Sequence, residues 1–363
     1  MIKEGKFGVH EMVSLLVIAM TNKIFFSTAS RFLGIAATSA WLMTLISCLS
    51  AVLLFTFVYL LLKRFPGKNM IEIFDITLGR ATGFAFSLAL AVAIFFCCSM
   101  LLREFTDMAR TYIFIRTEPS LISAALILAV VLGAYLGLES IARFAKFSLY
   151  FALASILILI FFTAQYFDIT NLFPIMGHGM DVNITSGLRW TCTYSEVIFI
   201  AILAGSMQGT GYIKKAGFLS LVLSGLMMAV VLAVSVLVLS YPLGQEQLSV
   251  TYILAKQIEV GNFLQRSDPL FSYLWFVTTI ITICIEFYCG ISVYCKAFRL
   301  QDHRPLIIPF ALIVYAASFI PRDFSEVEFW LSFIRTNGIF IVFGMPLTAL
   351  IASLLRRKKG NAS

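Results

Sequence analysis

Apolar runs of about 20 residues recur along the whole of this chain, and a helix of that length crosses the hydrocarbon core of a bilayer. Between them the longest hydrophilic gap, near Tyr241 to Asp268, is too short to enclose a soluble core. Only 13% of the residues are charged, where soluble domains carry about 25%. The sequence therefore describes a polytopic, all-α membrane protein, not a soluble enzyme with an anchor. Ten spans are read at about 10–30, 38–62, 82–103, 120–138, 144–165, 185–206, 216–240, 270–295, 305–320 and 332–355. The ninth is short and begins after Pro305, with Pro309 in its first turn.

Orientation follows from the placement of Lys and Arg, which favour cytoplasmic loops. With the N-terminus inside, seventeen of the 27 basic residues fall inside and nine outside, and the remaining one is Lys23. Both termini are expected in the cytoplasm, which requires an even number of spans. The net charge of +8 reflects these flanks and the tail Arg356-Arg357-Lys358-Lys359, expected to touch anionic lipid. No nucleic-acid motif accompanies it. The first apolar run carries Lys23 and lacks a small-residue cleavage site, so it does not read as a cleavable signal.

Several chemistries find no support. The cysteines Cys48, Cys97, Cys98, Cys192, Cys284, Cys289 and Cys295 all lie in expected spans without zinc or disulfide spacing, and read as small packing residues. His10 and His303 sit at membrane edges and His178 in a loop, without metal-ligand company. The stretch from Gly205 to Gly211 matches no nucleotide fingerprint and reads as a turn. No nucleophile–base set for hydrolysis is visible. The expectation is a non-enzymatic protein with no cofactor and no metal.

Ten spans divide as five plus five, a first repeat over about 10–165 and a second over about 185–355, followed by the tail 356–363. All belong to one membrane domain covering 1–363. With an odd number of spans per half, the second half is inverted relative to the first. In that architecture the binding site lies at midplane, where the first helix of each half is broken. Those helices are spans one and six, and both have polar middles: Thr21-Asn22-Lys23 with Ser27-Thr28, and Thr191-Cys192-Thr193-Tyr194-Ser195-Glu196.

A charge at the bilayer centre costs about 2.5–3.5 kcal/mol on insertion scales, so such residues face a bundle interior and carry function. Lys23, Glu196 and Glu286 are three of them at similar depth. Lys23 has three readings: it pairs with Glu286 or Glu196, it binds a substrate carboxylate, or it titrates in place of a sodium ion. Glu196 holds an ammonium group or accepts backbone N–H bonds at a break. Glu286 lies on a stripe of polar and small residues, Thr279, Thr282, Glu286, Cys289, Gly290 and Val293, at spacings of three and four. The opposite positions are Trp275, Ile280, Ile281, Ile283 and Phe287, which meet lipid or packed side chains. Arg335 with Asn337, at the outer end of span ten, either guards an outside entrance or, as favoured, reaches the headgroups.

Four stretches resemble the B subunit of bacterial spore-germination receptors, a family similar to amino acid/polyamine/organocation permeases. They are Arg64-Phe65-Pro66-Gly67-Lys68 with Ile71-Glu72-Ile73, Leu102-Arg103-Glu104-Phe105, Phe167-Asp168-Ile169-Thr170-Asn171-Leu172-Phe173-Pro174, and Arg304-Pro305-Leu306. The carboxylate Glu196 fits as well. The resemblance implies a germinant-sensing subunit of the spore inner membrane that acts with an A subunit and a lipoprotein C subunit. It implies an amino acid as ligand, in a pocket between spans one, three, six, eight and ten. Carried onto this chain, the pocket holds Thr21, Asn22, Lys23, Phe26, Thr193, Tyr194, Ser195, Glu196 and Glu286. Because spans one and eight meet at a cation site in such permeases, the pairing of Lys23 with Glu286 is favoured. Two departures stand out: Ser195 replaces the usual glycine before the carboxylate, and Lys23 is not a family residue. A proton-coupled amino-acid transporter and a non-binding scaffold or ion-pathway subunit are the alternative functions.

Overall fold

The computed structural model describes residues 8–258, 268–358 and 360. It is helical, with no strand among the described residues. The first expected span is interrupted: α1 (Val9–Thr21) ends in a 3₁₀ turn (Asn22–Phe25), and α2 (Ser27–Ala36) follows. Then come α3 (Ala40–Arg64), a short α4 (Met70–Leu78), α5 (Arg80–Tyr112), α6 (Pro119–Leu136) and α7 (Leu138–Thr163). The second interrupted span consists of α8 (Met180–Arg189), a 3₁₀ stretch (Thr191–Ile198) and the single turn α9 (Phe199–Ile202). It is followed by α10 (Thr210–Val238), the short α11 (Tyr241–Gln245) and α12 (Val250–Lys256), α13 (Asp268–Phe298) and α14 (Arg304–Ser318). Last are α15 (Phe324–Asn337) and α16 (Met345–Leu355), joined through a π turn at Phe340–Gly344.

Seven helical stretches among the described residues are each long and apolar enough to cross a membrane: Ser27–Arg64, Arg80–Tyr112, Pro119–Leu136, Leu138–Tyr166, Thr210–Val238, Phe271–Phe298 and Phe324–Leu355. The protein is a multi-pass membrane protein. The expected spans 10–30, 185–206 and 305–320 are not continuous helices of that length. Two of them are broken at their polar middles, and α14 is a shorter apolar helix.

Most boundaries fall within a few residues of expectation. The third span differs: α5 continues to Tyr112, well past 103. Its apolar inward positions Leu101, Leu102, Phe105, Met108 and Ala109 keep the helical period beyond Arg103 and are all buried. This extension carries Glu104 into the core.

α13 is the most interior of the long helices, while α6 and α7 present much of their length outward through residues such as Leu128, Leu132, Phe147 and Phe161. On α13 both the polar stripe and the opposite positions Trp275, Ile281, Ile283 and Phe287 are buried. Of the two expectations for that opposite face, packed side chains is the one observed.

Without a hydrophobic force between helices in lipid, close approach depends on small residues. The α3–α10 contact is built this way. A Cβ at Gly217 would lie 2.2 Å from the Phe55 ring, and one at Gly225 would lie 2.4 Å from Cys48 Sγ. Ser220 and Ser224 are buried on the same helix.

Of the basic tail, Arg356 donates to Thr77 O at 3.0 Å and Lys358 to Ile76 O at 2.6 Å. These cations meet the last carbonyls of α4, where the helix dipole is negative. Both side chains remain exposed beside these bonds. Lys359 and residues 361–363 lie outside the described residues.

Gly217→Val is expected to destabilise the protein by about 1–3 kcal/mol through overpacking. Thermal unfolding in detergent measures this, and Phe55→Leu in the same chain should recover part of the loss.

Candidate functional site

A helix broken inside a bilayer frees backbone groups that water cannot reach, and each must be satisfied by protein. At the first break, Phe26 is extended (φ −106°, ψ −169°), so the hydrogen-bond ladder stops at Asn22–Phe25 and restarts at Ser27. Three residues supply the missing partners. Thr251 Oγ1 donates to Ile24 O at 2.9 Å, and Ser249 Oγ donates to Phe25 O at 2.7 Å. Both sit at the start of α12, inside the hydrophilic gap of the sequence. On the other side, Glu104 accepts from Ser27 N at 3.2 Å and from Ser27 Oγ at 2.5 Å. A carboxylate thus sits at the N-terminal end of α2, where the dipole favours negative charge.

The second break centres on Tyr194 (φ −106°, ψ 26°). Hydroxyls of α3 line it. Thr44 Oγ1 and Tyr194 OH lie 2.9 Å apart, Ser47 Oγ donates to Gly187 O at 2.8 Å, and Thr191 Oγ1 donates to Ser50 Oγ at 2.8 Å. Lys296 Nζ donates to Ile202 O at 3.0 Å, at the end of α9.

Lys23 joins the two breaks. Its ammonium donates to Thr193 O and to Glu196 Oε2, the latter at 2.6 Å. Both side chains are buried. The favoured pairing of Lys23 with Glu286 is therefore not the one found. The cause lies in the breaks themselves: the turn at Asn22–Phe25 aims Lys23 at span six, where the Thr193 carbonyl and the Glu196 carboxylate stand together. Of the two readings for Glu196, holding an ammonium group is the one the geometry carries, and that ammonium is the protein's own.

Glu286 is buried beside this pair, within electrostatic reach of Glu196, Lys23 and Arg335. Its Oε2 has no hydrogen-bond partner among the described residues. Along the same face of α13, Thr278 and Thr279 donate to Asn22 Oδ1 at 3.1 and 3.3 Å, and Thr282 donates to Thr278 O at 2.8 Å. Asn22 Nδ2 and Thr193 Oγ1 are buried and equally without a partner.

The structure thus gathers Asn22, Lys23, Thr193, Glu196 and Glu286 around the two breaks. Other expected residues stand apart. Thr21 bonds back to Val17 O at 2.6 Å, Tyr194 turns to α3, and Ser195 is half-buried. Phe26 packs edge-on against Trp275 and Phe105, with ring centroids 5.5 and 6.1 Å away. Among the described residues no cluster could hold a metal ion.

A second buried ion pair escaped the sequence reading. Arg335, expected at the headgroups, is only 6% exposed. It donates to Thr28 Oγ1 at 2.7 Å, and its Nη2 lies 3.8 Å from Glu104 Oε2. The signal for Glu104 was the apolar period continuing past residue 103. Arg335 gave no comparable signal, because its partners come from α2 and α5.

The geometry can be set beside known proteins. A family model described as spore germination protein matches residues 8–327. Spore germination protein KB of Bacillus subtilis (strain 168) is 22% identical over 89% of this chain and 87% of its own. Spore germination protein GerLB of Bacillus cereus is 22% identical over 94% of this chain and 96% of its own. Among solved structures, Mhp1 is similar, a nucleobase-cation-symport-1 family transporter in a closed conformation with bromovinylhydantoin bound. The TM-score is 0.69 over 97% of this chain and 91% of that one, at 15% identity. At that identity the likeness is one of fold: the chain has a transporter-like helical fold.

Removing one partner of a buried pair leaves the other charged and alone, a cost of about 3–5 kcal/mol. Lys23→Met is expected to destabilise by that order, and adding Glu196→Leu should restore most of the loss. A double-mutant cycle by thermal unfolding should give a larger coupling for Lys23 with Glu196 than for Lys23 with Glu286.

Proposed function

This chain belongs to the spore germination protein family, and from that premise we propose that it is the small-molecule-binding membrane subunit of a nutrient germinant receptor. Family and fold together describe a non-enzymatic membrane protein. The observation that carries the proposal is the buried Lys23–Glu196 pair, which ties one broken helix to the other at 2.6 Å. Such a tie is sensitive to anything that inserts between its partners. The unpartnered Asn22 Nδ2, Thr193 Oγ1 and Glu286 Oε2 beside it are polar groups that a ligand would satisfy.

In this reading the ligand is a small-molecule germinant, for which the family resemblance implies an amino acid. It binds between the breaks, and the bias it gives to the two half-bundles passes to A and C subunits in the spore inner membrane. A ligand shifts such an equilibrium only by its differential affinity for the two states. Ten spans in two inverted halves of five, with both termini cytoplasmic, are part of the same proposal. The packing of α3 on α10 and of α5 on α13 supports it, because each pairs a span with its counterpart in the other half.

A proton-coupled amino-acid transporter is the second reading, favoured by the likeness to a transporter fold. Uptake into proteoliposomes that depends on pH and on Glu286 would select it over a sensor.

Spores carrying Glu196→Gln or Asn22→Ala, with the protein present at wild-type level, are expected to need at least about tenfold more germinant, a loss of about 1.4 kcal/mol in binding. Germination is followed by the fall in optical density. An unchanged dose response in both variants would leave only the scaffold role.

A further inference from the structure

The last turn of α4 gathers more positive charge than it neutralises. Arg299 Nη2 donates to Asp75 Oδ2 at 3.3 Å, Lys358 to Ile76 O at 2.6 Å, and Arg356 to Thr77 O at 3.0 Å. Arg80 follows two residues beyond the helix, and its guanidinium has no ion pair or hydrogen bond among the described residues. Against these four cations stands the carboxylate of Asp75. Glu72, one turn earlier, is paired with Lys68 at 3.3 Å, and Asp302, after α13, accepts from Arg304 N at 3.0 Å.

Two of the four cations border a cleft. Between the start of α5 and the end of α13, Asp75, Arg80, Phe84, Phe298 and Arg299 line a space of about 360 Å³. Arg299 stands just past α13 in the left-handed region (φ 59°), where Leu300 N–H bonds Cys295 O at 2.8 Å. Glycine adopts that conformation at a helix end without steric cost. An arginine there keeps its side chain at a cost in backbone conformation, and Asp75 holds that side chain at the cleft.

The lining says what the cleft would take. A guanidinium fork matches two oxygens of a phosphate or a carboxylate in parallel bonds. One fork fills a carboxylate, whereas a phosphate group has oxygens for two. No side chain caps the start of α5, so the positive end of that long helix adds to the field of the arginines. Phe84 and Phe298, edge to face with ring centroids 5.1 Å apart, give the cleft an apolar wall. It lies on the face where the C-terminal tail meets α4, which is the cytoplasmic side in the orientation proposed above.

We propose that this cleft binds a phosphate group between Arg80 and Arg299, with Asp75 orienting Arg299. The site is separate from the one between the two breaks and does not depend on the germinant-binding reading. A phospholipid headgroup and free phosphate both present this group.

The test is thermal unfolding of the purified full chain in phosphatidylcholine nanodiscs. One arm replaces part of the lipid with phosphatidylglycerol. The other keeps phosphatidylcholine and adds sodium phosphate, against sodium chloride of equal ionic strength. We expect at least one arm to raise the midpoint by about 2 °C or more. A rise with phosphatidylglycerol alone identifies a lipid headgroup, and a rise with inorganic phosphate shows that the phosphate group is sufficient. Arg80→Gln and Arg299→Gly should each remove most of the rise. Both side chains are exposed, and the glycine relieves the left-handed backbone, so both variants are expected to fold. Lys214→Gln, which removes an exposed cation from the start of α10, should leave the rise intact. A flat response in both arms overturns the proposal. So does a rise that persists in either arginine variant. A rise that Lys214→Gln diminishes as much as they do also overturns it, because general surface charge then suffices.

Discussion

The cost of interrupting a helix where no water can reach organises the centre of this protein. Two helices stop inside the bundle, and every backbone group they release needs a partner from somewhere else in the chain. Lys23 answers Thr193 O across the gap between the breaks. Ser249 and Thr251 answer Phe25 O and Ile24 O from the short helices after α10, and Glu104 answers Ser27 N from α5. These contacts are 77 to 227 residues apart in sequence. The breaks therefore exist only because distant elements are folded around them, and those elements are held by the groups the breaks expose.

Charge follows the same geometry. A broken span ends with partial charges at a depth where a full charge alone would be prohibitive. Glu104 uses the positive end of α2, and Arg335 offsets it from α15. Lys23 uses the Thr193 carbonyl and the Glu196 carboxylate at once. Each ion pair thus spans different helices: α5 with α15, and the first break with the second. Relative movement of these helices has to stretch or exchange these pairs.

The surrounding helices serve as a frame. The α3–α10 contact is close because Gly217 and Gly225 yield space to Phe55 and Cys48, and α13 is enclosed on both faces. A frame packed in this way resists continuous deformation and favours discrete arrangements. Rigidity outside and replaceable polar contacts inside describe this member of the spore germination protein family.

Sequence alone determined what depends on local composition. Helical character, the recurrence of membrane-length apolar runs and the polar middles at Asn22–Lys23 and Thr193–Glu196 were legible, because bilayer thickness and the helical period act on neighbouring residues. The same reading marked Lys23, Glu196 and Glu286 as groups too costly to face lipid. Only the tertiary structure decided which carboxylate Lys23 meets, because the choice turns on where a 3₁₀ turn aims one side chain. It also decided that Glu104 and Arg335 are interior. Their burial depends on α5 running nine residues past the expected end at 103 to Tyr112, and on α15 leaning against α2. Pairing across a bundle is set by packing between segments distant in sequence, and no local pattern encodes which of three buried carboxylates is left without a partner.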